Sequence, residues 1–163
     1  MSFVSARAAS LFGALALAGL YSGPTIAENV KTGSLVIHAP WTRATPKGAP
    51  VAGGYLIIEN TGDQPDRLVG GSFAASAGFA IHQMAMKEGV MSMAPVEGGL
   101  EIPAHGSVEL GPGATHLMFI GLKQQLKQND AVGGTLVFEK AGVVTVSYVV
   151  QAIGAKAPGH PAN

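Results

Sequence analysis

From residue 28 onward the chain is a succession of short apolar and β-branched runs, each cut off by Gly, Pro, Asn or Asp. Apolar residues do not recur at the three- and four-residue spacing of an amphipathic helix, so the pattern predicts short strands packed as a sandwich or barrel. Strands are expected over Ser34–His38, Gly54–Asn60, Asp66–Val69, Ala80–Met86 and Val90–Val96. They continue over Leu100–Ile102, Ser107–Leu110, His116–Leu122, Gly134–Lys140 and Val143–Gln151. Lys87-Glu88-Gly89 and Ala141-Gly142 read as hairpin turns, and Pro40 to Pro50 as a Pro- and Thr-rich connection.

The first residues follow another rule. Arg7 is the lone charge before an apolar stretch, Ala8 to Leu20, and Thr25-Ile26-Ala27 is a small-x-small cleavage site. Residues 1–27 therefore read as a secretory signal peptide, too short for the roughly 20 apolar residues of a spanning helix. Residues 28–153 form one domain, and the Pro-, Ala- and Gly-rich residues 154–163 a mobile tail. No membrane insertion is expected after cleavage. The sequence has no cysteine, which excludes disulfides, thiolate metal sites and a cysteine-linked lipid anchor. Ten basic residues balance ten acidic ones, and without a basic stripe nucleic acid is not an expected partner.

Composition does not explain where the methionines fall. Apart from Met1, all of them lie between Met84 and Met118, and a histidine stands two residues before a methionine twice, at His82-Gln83-Met84 and His116-Leu117-Met118. A single Met in a β protein is usually core filler. Imidazole accompanying thioether twice at one spacing points instead to a soft metal ion, Cu(I). Thioether binds metal with no proton to lose, and it survives an oxidising compartment that would consume thiols. Alternate residues of a strand share a face, so His82, Met84 and Met86 point one way, as do Met91 with Met93 and His116 with Met118. A hairpin about Lys87-Glu88-Gly89 would gather the first five at one end of the sandwich. Cu(I) takes two to four ligands, so not every Met can serve, and Met86 is assigned to packing or a supporting role.

The stretch His82 to Met118 resembles the PCuAC family of periplasmic copper chaperones. That family's signature is His, ten residues, Met, about twenty-one residues, then His-x-Met. Here ten residues separate His82 from Met93 and twenty-two separate Met93 from His116. Trp41-Thr42-Arg43-Ala44-Thr45-Pro46, Ala52-Gly53-Gly54-Tyr55, Pro95-Val96-Glu97-Gly98-Gly99, Gly111-Pro112-Gly113 and Gly121-Leu122-Lys123 also match, so the likeness runs from Ser34 to Gln151. It implies a cupredoxin-like or immunoglobulin-like β-sandwich that binds one Cu(I) through His82, Met93, His116 and Met118, with Met84 and Met91 as alternates. It further implies a metallochaperone in the periplasm that delivers copper toward the copper A centre of cytochrome c oxidase, through a Sco-type copper protein or directly to oxidase subunit II. Family members with a His- and Met-rich C-terminal extension bind Cu(II) there. This tail has only His160, so weak Cu(II) binding is the most expected of it.

Rival functions fare worse. A blue-copper electron carrier needs a Cys thiolate. A hydrolytic zinc site wants His with carboxylates, and no nucleophile–base spacing suggests another enzyme. Copper storage or sequestration with the same ligands is the alternative, differing only in lacking a recipient. His38 and His105 read as hydrogen-bonded or solvated surface residues, and Trp41 as a core residue with Arg43 stacked on it.

Overall fold

The computed structural model describes residues 27–158, so the signal-peptide reading (Ala27 apart) and His160 lie outside the described residues. Among those described there are eleven strands and no helix. They are β1 (Val30–Thr32), β2 (Leu35–Arg43), β3 (Val51–Asn60), β4 (Asp66–Phe73), β5 (Ser76–Lys87), β6 (Val90–Pro95), β7 (Leu100–Ile102), β8 (Gly106–Leu110), β9 (His116–Leu122), β10 (Ala131–Phe138) and β11 (Gly142–Gln151).

One open hydrogen-bonded sheet runs β6-β5-β9-β3-β2-β11-β10-β4-β7, with β1 added to β2 and β8 to β3. Its pairs are antiparallel except β11 with β2. Phe73 of β4 stacks on Phe119 of β9 with ring centres 3.9 Å apart. These strands stand five places apart in the order, which would separate them by roughly 24 Å in a flat sheet. The sheet therefore folds over, and its two halves face each other as the layers of a sandwich.

The core between them follows the two-residue period. Ala52, Leu56 and Ile58 on β3, Leu117 and Phe119 on β9, and Leu136 and Phe138 on β10 are buried. Phe119 also meets the Tyr148 ring edge-on at 5.2 Å. The Tyr148 hydroxyl is buried among these apolar groups and finds no hydrogen-bond partner, and burial pushes its ionisation well above the usual tyrosine range.

Several strands run past the bounds read from the sequence. β2 continues through Pro40 to Arg43, because the register to β3 shifts between His38 and Trp41, with Ala39 at a φ of 44°. A bulge is where a sheet tolerates a proline. The shift has a second effect. His38 opposes Ile57 and Trp41 opposes Tyr55, so Trp41 lies on the outer face of the sheet, where it is still buried, at 3% exposure. β4 passes through Gly70-Gly71 because a Cβ at Gly71 would lie 2.4 Å from the Thr135 carbonyl oxygen, so the glycine permits the close pairing with β10 that a side chain would block.

Candidate metal centre

The outer face of β5, β6 and β9 carries the soft-ligand residues. Leu117 and Phe119 point into the core, so His116 and Met118 point out. On β5, Ile81 is buried in the core and His82 and Met84 face outward with them. β9 pairs with β5 so that His82 stands directly opposite His116, with Met118 opposite Ala80. On the other side of β5 the register sets Met84 opposite Met93 and Met86 opposite Met91. All six residues singled out by the sequence, with Met86 besides, therefore share one face of three adjacent strands.

The hairpin that sets this register closes through Glu88 (φ 51°) and Gly89 (φ 80°) between the paired Lys87 and Val90. Positive φ at both central positions makes it the two-residue turn whose twist suits a hairpin. β9 begins at His116, so the part of the hairpin beyond His82 has no third strand beside it on that edge. It projects from the sandwich as a two-stranded ribbon, and the imidazoles sit at its root.

At that root the ligand atoms approach one another. His82 Nδ1 lies 3.1 Å from Met93 Sδ, a diagonal contact across the β5–β6 pair. The His82 and His116 rings are 6.3 Å apart, nearly perpendicular at 78°. Two imidazoles sharing one ion have ring centres roughly 5–6 Å apart, according to the angle between them, given metal–nitrogen distances near 2.0–2.1 Å. His116 is only 9% exposed, and its Nδ1 lies 2.9 Å from the Ala114 carbonyl oxygen. A carbonyl only accepts, so Nδ1 carries the proton and Nε2 keeps its lone pair for a ligand. Among the described residues no group of three or more His, Cys, Asp or Glu comes together in a metal-binding arrangement. The donors that share this face with the two histidines are thioethers, a set suited to a soft cation.

His116 and Met118 also line a depression of about 280 Å³ shared with Arg43, Tyr55 and Ile153. Sequence reasoning did not place Tyr55 here. The guanidinium of Arg43 lies over the Tyr55 ring, 5.6 Å from its centre, and not over Trp41 as the sequence reading had it. Trp41 also packs against Tyr55, with ring centres 4.5 Å apart. Burial raises the ionisation of the Tyr55 hydroxyl, and Arg43 partly opposes this. Arg43 Nε also donates to the Ala155 carbonyl at 2.7 Å, which ties the start of the tail to this face. The sequence signal for this wall was the place of Tyr55, next to Leu56, on the strand expected over Gly54–Asn60.

Of the two roles expected of Met86, packing is corrected: the residue is 65% exposed and packs into no core. Met91 and Met93 are also exposed, at 53% and 48%. His38 and His105 stand apart from the centre, each paired with a carboxylate, Glu59 at 2.9 Å and Asp63 at 2.7 Å.

Comparisons with known proteins bear on the family and the fold. Residues 35–150 match the family model described as "Putative lipoprotein LpqE-like". The "Putative lipoprotein Lxx21020" of Leifsonia xyli subsp. xyli is 29% identical over 115 residues, 71% of this chain and 68% of that protein. The copper-bound PCuAC domain from PmoF2 superposes with a TM-score of 0.66 at 29% identity, covering 77% of this chain and 98% of that domain. Apo-DR1885 from Deinococcus radiodurans shares the fold, with a TM-score of 0.58 at 22% identity over 93% of this chain and 97% of that one.

Proposed function

Since this chain belongs to the LpqE-like family and is a PCuAC-type domain, we propose that it is a copper chaperone. It binds one Cu(I) at the root of the β5–β6 ribbon and surrenders it to a partner. The observation that carries this reading is the contact of His82 Nδ1 with Met93 Sδ at 3.1 Å, beside a His116 whose Nδ1 is already engaged. His82, Met93, His116 and Met118 are the ligands, and copper is cargo. A relative of known structure is a copper-bound PCuAC domain, which supports the choice of metal.

Softness selects the ion: two thioethers and two neutral imidazoles favour Cu(I), whereas the hard divalent cations need oxygen ligands. Position sets the release. His116 is held by the body of the sandwich, while Met93 is half exposed on the ribbon. An incoming thiolate or imidazole can displace the exposed thioether first and the buried imidazole last, so the ion is never free. No acid–base or nucleophilic step is needed, and the role is transport, not catalysis. The exchange is proposed for the periplasm, a reading supported by the secretory leader expected at residues 1–27, with the copper A centre of cytochrome c oxidase and Sco-type proteins as the recipients implied by the family.

Anaerobic Cu(I) competition against a chromophoric chelator tests the site. The domain should withdraw one tight equivalent, and His116→Ala should weaken it on the order of 100-fold, about 2.7 kcal/mol. Equal affinity in the two proteins would sink the ligand assignment.

A further inference from the structure

Once Met93 and Met118 are given to the histidine pair, three methionines remain: Met84, Met86 and Met91. They share the outer face of the ribbon, beyond the last pairing of β5 with β9. No core lies beneath this part of the ribbon, and Met86 and Met91 are more than half exposed. Met84 is half-buried, whereas packing does not account for Met86 and Met91. Met86 directly opposes Met91, which places their Cβ atoms about 4.5–5.5 Å apart. Met84 lies two residues from Met86, roughly 6.6 Å along the same face. Each side chain is unbranched with three rotatable bonds, so the three sulfurs can converge on one ion at metal–sulfur distances near 2.3 Å. Met93 is Met84's partner across the ribbon, and its sulfur leans diagonally toward His82 instead. That contact frees Met84 for the outer trio and leaves Met93 standing between the two groups in the register.

We propose that Met84, Met86 and Met91 form a second, outer Cu(I) site of three thioethers, a landing place from which the ion passes through Met93 to His82 and His116. This rests on the Cu(I) reading of the inner site. Three neutral thioethers without imidazole hold Cu(I) less tightly than the mixed set, so the ion moves inward down a gradient of affinity. Each move is a ligand exchange: one Cu–S bond forms as another breaks, the metal stays monovalent, and no proton is released, because a thioether has none. The exposed tip also explains how the ion reaches a root where His116 is buried.

The test is an anaerobic Cu(I) titration of the mature chain carrying ¹³C-methyl methionine, read by NMR. The first equivalent should shift the methyls of Met93 and Met118, and the second those of Met84, Met86 and Met91. The Met84→Leu/Met86→Leu/Met91→Leu chain should keep the first equivalent and lose the second. A His82→Ala/His116→Ala chain should lose tight binding yet keep the shifts at Met86 and Met91, which separates the outer site from the inner one. Unmoved Met86 and Met91 methyls at excess Cu(I), or a triple variant that still takes a second equivalent, would overturn the outer site. Retained tight binding in the histidine variant would count against the inner-site reading alone.

Discussion

The sandwich body and the β5–β6 ribbon are built on opposite principles. In the body, apolar side chains are driven from water: Leu117, Phe119 and Leu136 are fully buried, and Phe119 is locked between Phe73 and Tyr148. On the ribbon, Met86, Met91 and Met93 stand about half or more exposed to water. A fold retains exposed large apolar groups without cost to packing, but such clusters mark binding surfaces. The body is thus the stable frame, and the ribbon is a device mounted on it. The site falls where they join, with His116 supplied by the frame and Met93 by the device.

That division makes substitutions in the two regions fail in different ways. The largest effect should come from Phe119→Ala, which removes the centre of the aromatic stack and should cost about 3–5 kcal/mol. Denaturant unfolding would measure it, and a loss below about 1 kcal/mol would mean the core is not organised around this ring. Met93→Leu keeps the volume and removes the sulfur. It should reduce Cu(I) affinity about tenfold, about 1.4 kcal/mol, and leave the unfolding midpoint of the apo protein unchanged. A shifted midpoint would show that the ribbon is coupled to the frame after all.

Smallest at neutral pH is Tyr148→Phe, which deletes a buried hydroxyl without a partner and should change stability by no more than a few tenths of a kcal/mol, or raise it. Its signature appears in alkali. The folded-state ionisation of Tyr148 is raised, so above about pH 10 the unfolded chain loses this proton first. The wild type should therefore lose stability as pH rises beyond that point, by up to about 1.4 kcal/mol per pH unit for this one group. The phenylalanine variant should lose less, and identical alkaline curves for the two proteins would contradict the buried state of the hydroxyl.

Much of the centre was legible because strand geometry is local. Side chains alternate with a period of two, so His82-Gln83-Met84-Ala85-Met86 declares a shared face before any partner strand is known. Glu88-Gly89 likewise declares a tight turn, and that turn sets Met84 opposite Met93. The bulge at Ala39-Pro40 was not legible. A Pro-rich stretch reads as connection, and only pairing with β3 reveals a strand that has slipped by one residue and turned Trp41 to the outer face. The outward turn of Arg43, which lays its guanidinium over Tyr55 beside His116, follows from that slip and was missed with it.

By itself the sequence determined the all-β character of the domain, the residues able to bind a soft metal, and the hairpin that carries most of them. These follow from alternation, turn chemistry and donor softness, which act over a few residues. Only the tertiary structure decided that β9 lies beside β5 in the register that sets His116 opposite His82 across thirty-three intervening residues. It also decided that Met86 has nothing to pack on. Register between distant strands is set by which faces can be buried together once the sheet folds over, a condition on the whole core that no short segment encodes.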